Sequence, residues 1–211
     1  MSRRVMGIDE AGRGCVFGDL VVAAFLVEPL DDGALRTAGA DDSKRLTAER
    51  RSGVRAALGA LGQASVRRIS PARIDTGNLN HLEEEAIVDL LRELRPDVVV
   101  IDALGHPSTL AATADRLRAA LPASLRPEVR IEPKADQNHA VVGAASIVAK
   151  TLRDELLAEH AATHGELGSG YPGDPKTRAW LQAWARTGKE WPPFVRTKWS
   201  TVTALRQGGL F

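Results

Sequence analysis

Four acidic residues stand where apolar segments end, with no basic neighbour in sequence to offset them. They are the adjacent Asp9 and Glu10 after Arg4–Ile8, Asp102 after Val98–Ile101, and Asp136 ahead of a long Ala-rich stretch. A carboxylate at the end of a buried segment is costly unless it is paired or holds a metal. Several of them converging would repel and raise one another's pKa. A divalent cation answers both problems, and hard oxygen donors suit Mg2+ or Mn2+ rather than zinc. Such a cluster can hold two ions about 3.5–4 Å apart, one activating water and one stabilising the leaving oxygen in phosphodiester hydrolysis. Each residue also has a plainer reading. Asp136 is placed to N-cap the helix that follows, and Asp102 could be satisfied by backbone donors at a strand end. Successive strand residues point to opposite faces, so Asp9 and Glu10 serve one site only if the backbone turns there. The glycines that follow permit such a turn.

Gly12-Arg13-Gly14 sets two flexible residues around a guanidinium. Glycines let backbone N–H groups approach a sugar or phosphate closely, and an arginine can fork onto a phosphate. Taken alone, a Gly-x-Gly is more often just a turn. Asp42-Ser43-Lys44 offers a hydroxyl beside an ammonium, a pattern more common in solvated loops than in phosphate clamps. His160 and His164, four apart on a helical stretch, could face one metal. With no third ligand of suitable type nearby, an exposed helix face is the expected reading. His139 is close enough to Asp136 to be a site neighbour. No Walker-type loop and no nucleophile elbow occurs, which excludes P-loop nucleotidases and the common serine hydrolases.

The elements that must position these groups are legible in outline. Arg4–Asp9 reads as a short strand and Asp19–Glu28 as a second, almost wholly buried one; Gly12, Gly14 and Gly18 between them predict an antiparallel pair. A helix is expected after a Thr47 cap, a strand over Ala64–Ser70, and a helix over Leu79–Leu94 from its three- and four-residue apolar spacing. Asp97–Asp102 is the clearest buried strand. Leu110–Leu121 reads as a helix, Glu128–Glu132 as a strand, and Val141–Leu157 as a long helix that must pack closely. Three strands followed by alternating helix and strand indicate an α/β domain with a mixed sheet.

The 211 residues make one large domain, or one with a modest appendage, and Gly165–Gly173 is the expected boundary. The single cysteine, Cys15, excludes an intramolecular disulfide and favours a reducing cytoplasm. No apolar run approaches the length of a membrane span, so no membrane association is expected. The net charge of +1 hides an asymmetry: Tyr171–Phe211 carries +5 and all four tryptophans, and the rest carries −4. Such a tail is either a polyanion-binding surface or a helical segment docked by its tryptophans with its charges in water.

The motif Gly7-Ile8-Asp9-Glu10-Ala11-Gly12-Arg13-Gly14 resembles the signature of ribonuclease HII, the type 2 ribonucleases H. The resemblance continues in order through Asp42–Thr47, Asn78-Leu79-Asn80, Val100-Ile101-Asp102, Lys134-Ala135-Asp136, Ala144–Lys150 and Gly168–Pro172. Gly168–Pro175 and Val195–Trp199 are closer to the archaeal branch. The resemblance implies an RNase H-like fold: a five-stranded mixed sheet flanked by helices, with residues 1–165 as catalytic domain and 166–211 as a substrate-binding helical extension.

It further implies hydrolysis of the RNA strand of RNA–DNA hybrids. Incision 5′ of ribonucleotides embedded in duplex DNA would leave 3′-hydroxyl and 5′-phosphate ends, as ribonucleotide excision repair requires. By the same resemblance, Asp9, Glu10, Asp102 and Asp136 are the carboxylates that bind Mg2+ or Mn2+. Gly12, Arg13 and Gly14 sense the ribose 2′-hydroxyl through their backbone. Tyr171 stacks on the sugar beside the scissile phosphate, and Ser43, Lys44, Ser146 and Lys150 contact backbone phosphates. A cytoplasmic monomer is expected. Two departures stand out: Cys15 and Asp19 occupy places where the family commonly has proline. Cys15 would add an oxidation liability if exposed, and Asp19 a negative charge near a phosphate site or toward solvent. Two other readings remain open, a related two-metal nuclease acting on DNA junctions and a hybrid-binding protein without catalysis.

Overall fold

The most apolar run in the chain, Leu20–Val27, is buried along its whole length because it lies inside a sheet covered on both faces. The computed structural model describes residues 2–40, 47–103 and 107–206. Its strands are β1 (Val5–Ala11), β2 (Leu20–Val27), β3 (Gln63–Ile69), β4 (Val98–Asp102) and β5 (Glu128–Glu132). They form one five-stranded sheet in the order β3-β2-β1-β4-β5. β1 is antiparallel to β2, and β2 to β3; β4 lies parallel to β1 and to β5. The expected mixed sheet is therefore present, with β1 at its centre.

The helices among the described residues are α1 (Asp32–Thr37), α2 (Ala48–Leu58), α3 (Pro71–Thr76), α4 (Leu79–Leu94), α5 (Leu110–Ala119), α6 (Ala135–Asn138), α7 (Ala140–His164), α8 (Pro175–Arg186) and α9 (Ser200–Arg206). Strand alternation decides which face each side chain serves. Leu20, Val22, Ala24 and Leu26 of β2, with Met6 and Ile8 of β1, pack against α4 and α5. Val21, Ala23, Phe25 and Val27 face the small residues of α7. That approach is close: a Cβ on Gly7 would lie 2.3 Å from the Val141 carbonyl oxygen, so only glycine admits α7 against β1.

α7 is longer than its expected Val141–Leu157, running on to His164 and ending where Gly165 takes φ +78. Thr47 caps α2 as expected, its hydroxyl accepting from the Arg50 N–H at 3.3 Å. A third apolar cluster joins Val16 and Phe17 to Leu167, Leu181, Phe194, Val195 and Val202, with Trp180, Trp191 and Trp199 against it. The tryptophans thus dock the C-terminal segment onto the loop between β1 and β2. Among the described residues, no helix is long and apolar enough to cross a membrane.

Candidate active site

Asp9 lies on the α7 face of β1, in register with Ala23 of β2. β4 runs parallel beside it with Ile8 opposite Ile101, which sets Asp102 next to Asp9 at the carboxyl end of the two central strands. Asp136 comes from the first turn of α6. These three carboxylates converge, their ligand oxygens all within 4.8 Å of one another. Asp9 and Asp136 are buried and Asp102 is half-buried.

Asp136 does not cap the long helix. The N-cap of α6 is Lys134, held at φ 58, and that of α7 is His139; neither makes a side-chain cap bond. Asp102 does accept a backbone donor, the Ala135 N–H at 2.8 Å, and so fixes the start of α6 while facing the cluster. His139 turns to Glu132, at 2.8 Å.

The backbone does not turn between Asp9 and Glu10. β1 continues through both to Ala11, still paired with β2, so the two side chains leave opposite faces of the sheet. Asp9 accepts the Glu10 N–H at 2.8 Å. Glu10 stands outside the three mutually close carboxylates, on the side of α4, and lines a cleft of about 180 Å3 with Gly12, Arg13, Gly14, Arg51, Lys150, Arg153, Asp154 and Tyr171.

Charge is concentrated here. Burial pushes the Asp9 carboxyl up to about 6, against the lowering effects of a hydrogen bond with Ser146 and the charge of Lys150. Burial pushes Glu10 up to about 8, reinforced by Asp9 and Glu83 and opposed by Arg13. Both carboxyls are thus held toward their neutral form, and a nearby divalent cation would favour their anions. Lys150 Nζ donates to Ser146 Oγ at 2.8 Å, so α7 delivers a connected line of polar groups to Asp9.

Gly12–Gly14 form part of the cleft's wall. Gly12 has φ +88, and a Cβ there would sit 2.8 Å from the Asp19 carbonyl oxygen, so the position excludes every side chain. Tyr171 is exposed, lies beside Gly14, and carries the Arg153 guanidinium 5.4 Å over its ring. Cys15 is buried, which removes the oxidation liability, and burial pushes its thiol up. Asp19 neither faces solvent nor adds free charge to the cleft, because Arg68 Nε pairs with it at 2.7 Å.

Three features escape a reading of the sequence. Arg13 is not free to fork onto a phosphate: Glu83 of α4 forms an ion pair with its Nη1, and Asn80 accepts from its Nη2 at 2.6 Å. Arg196, counted by sequence among the surface charges of the tail, is fully buried. It donates from Nε to the Gly18 carbonyl and from Nη1 to the Arg13 carbonyl, each at 3.0 Å, and stacks on Trp199. Arg51 and Arg153 join Lys150 on the cleft rim, both meeting Asp154.

His160 and His164 are not on an exposed face. His160 stacks on Phe194 with ring centroids 4.7 Å apart, and His164 packs against Trp180, Trp184 and Phe194. Ser43 and Lys44 lie outside the described residues.

A family model for ribonuclease HII matches residues 6–202. The chain is 39% identical over 209 residues to ribonuclease HII of Pyrococcus abyssi, covering 97% of this chain and 92% of that protein. Among solved structures it is similar to ribonuclease H2 from Pyrococcus horikoshii, with TM-score 0.88, 34% identity, and coverage of 97% and 98% of the two chains. It is also similar to the Archaeoglobus fulgidus ribonuclease HII solved in complex with PCNA, with TM-score 0.85, 34% identity, and coverage of 96% and 97%.

Proposed function

Because the chain belongs to the ribonuclease HII family, a family of nuclease hydrolases that degrade the RNA of RNA–DNA hybrids, we propose that it also incises duplex DNA 5′ of embedded ribonucleotides. The observation that carries this reading is the convergence of Asp9, Asp102 and Asp136, with Glu10, the residue after Asp9 in β1, lining a cleft together with Gly12–Gly14. Asp9, Asp102 and Asp136 would hold divalent cations, Mg2+ or Mn2+, with Glu10 joining from the opposite face of β1. When bound, a pair of such ions supplies Lewis acidity, lowering the pKa of the attacking water and offsetting charge on the leaving oxygen.

The protein's own residues do the rest. Asp102 orients α6 through the Ala135 N–H and so presents Asp136. Ser146 and Lys150 orient Asp9 from α7 and extend positive charge toward the phosphate path, where Arg51 and Arg153 continue it. The backbone of Gly12–Gly14, which lines the cleft, comes close to the sugar in this reading. The 2′-hydroxyl is the group by which such a donor distinguishes ribose from deoxyribose. The Tyr171 ring, exposed next to Gly14, stacks on the neighbouring sugar. Ser43 and Lys44 complete the phosphate contacts in this proposal, as do the exposed basic residues of the 166–211 extension. The working form is a cytoplasmic monomer, since one chain supplies every group named.

Asp102→Asn tests the assignment. It keeps an acceptor for the Ala135 N–H and removes one charge. An enzyme loses turnover while still binding the duplex. A pure hybrid-binding protein binds as before or better, and has no turnover to lose.

A further inference from the structure

Glu83 lies on the apolar stripe of α4, between Leu79, Leu82 and Ala86, and is fully buried. One carboxylate oxygen is paired with Arg13; the other, Oε1, is buried with no hydrogen-bond partner. Burial pushes this carboxyl up to about 7 even against the Arg13 charge. A half-satisfied buried ion pair is poor grounds for stability, and an apolar residue in its place is often neutral or stabilising. The core it adjoins is lined by Met6 and Ile8 of β1 and Leu82 and Ala86 of α4, where leucine would pack readily. Fold stability alone therefore does not account for an acid at this position.

Its contacts point elsewhere. Asn80 and Glu83, three apart and on one helix face, hold the two terminal nitrogens of Arg13, whose side chain is only 32% exposed. Arg13 is the centre of the Gly12–Gly14 segment, and its flanking glycines impose little conformational preference of their own. Across the loop, Arg196 holds the Arg13 carbonyl. The segment is thus pinned by its side chain to α4 and by its backbone to the tail.

We propose that Glu83 is a positioning residue for ribose recognition: it anchors the Arg13 guanidinium to α4 and thereby places the Gly12–Gly14 backbone at the cleft. This rests on the reading of the cleft as a ribonucleotide-incising site. Glu83 touches no substrate, and its effect passes through Arg13.

Four variants test it: Glu83→Leu, Glu83→Gln, Arg13→Leu and the Glu83→Leu/Arg13→Leu double. Two readouts are needed, amide hydrogen exchange over residues 11–19 and steady-state cleavage of a duplex containing one ribonucleotide. Glu83→Leu should melt at or above the wild-type temperature yet exchange faster in the loop. Its kcat should fall on the order of 100-fold, the cost of displacing a recognition group by about 1 Å, with KM little changed. Glu83→Gln, which keeps an acceptor for Arg13 on the same stem, should restore most of the rate. The double variant should match Arg13→Leu alone.

Additive losses in the double variant would overturn the proposal, as would unchanged loop exchange in Glu83→Leu. If Glu83→Leu does not fold, Asn80→Ala, at an exposed position, must shift exchange and kcat in the same directions, and no shift overturns the proposal. Absence of cleavage by the wild-type protein would instead defeat the ribonuclease reading, with loop exchange still deciding the role of Glu83 in placing the loop.

Discussion

Replacing Asp9 by asparagine should make the metal-free protein more stable, and only at high pH. Asp9 is buried, and its folded-state pKa of about 6 stands above its ordinary 3.8. A carboxyl raised in this direction favours the fold while protonated. That contribution is fully present below pH about 4 and is lost as pH rises through about 6. Above that range, holding the anion in the fold costs roughly 1–3 kcal/mol, taking 1.36 kcal/mol per pKa unit over about two units as the upper end. Asparagine cannot ionise, and its amide oxygen can still accept the Glu10 N–H that Asp9 accepts. Urea unfolding in the presence of a chelator at pH about 3 and about 8 reads both states. The variant should gain roughly 1–3 kcal/mol at the higher pH and close to nothing at the lower. A protein of this size would then melt about 2–12 °C higher at the alkaline pH. The same variant should lose metal-dependent cleavage, a familiar opposition between stability and a charged functional site. Destabilisation at pH about 8, or an equal gain at both pH values, would refute the argument that burial of the anion dominates.

Three other outcomes follow from the same geometry. Gly12→Ala, with φ +88 and a Cβ 2.8 Å from the Asp19 oxygen, should lose about 1–3 kcal/mol in urea unfolding and most of its cleavage activity. Arg196→Met strips the donors from the Gly18 and Arg13 carbonyls, and should cost about 2–6 kcal/mol by the same measurement, each orphaned acceptor contributing about 1–3. Duplex affinity should fall with salt on a double-logarithmic slope of about −3 or steeper if Arg51, Lys150 and Arg153 each neutralise a phosphate, and Lys150→Gln should reduce that slope by about 1, as read by fluorescence anisotropy.

The sequence makes the centre of the fold legible because its signals are local. Val98–Ile101 ending in Asp102, and the wholly apolar Leu20–Val27, identify central strands without reference to the rest of the chain. The apolar spacing of Leu79–Leu94 gave α4 its bounds. α1, α3 and α6 span six residues or fewer, too short for a helical period to declare itself.

Contacts between distant segments were hidden for a different reason. Arg196 reaches Gly18 and Arg13 across 178 and 183 residues, and in sequence it is one more positive charge in a basic tail. His160 and His164 looked solvent-facing because the aromatic residues that cover them come from the tail. Glu83 did leave a signal. It falls at the fourth residue after Leu79 and the third before Ala86, so an acid interrupts the buried stripe, but the run Glu83-Glu84-Glu85 disguises it as a solvated face. The placement of Asp9 and Glu10 on opposite faces followed from strand geometry, yet the sequence could not show that β1 runs on to Ala11.

The most direct test uses an end-labelled DNA duplex containing one ribonucleotide, beside the all-DNA duplex, with Mg2+, with Mn2+ and with chelator. A metal-dependent cut at the 5′ side of the ribonucleotide, with the all-DNA duplex intact, is the predicted result. An uncut ribonucleotide duplex under both metals, or cleavage of both duplexes alike, would contradict the account.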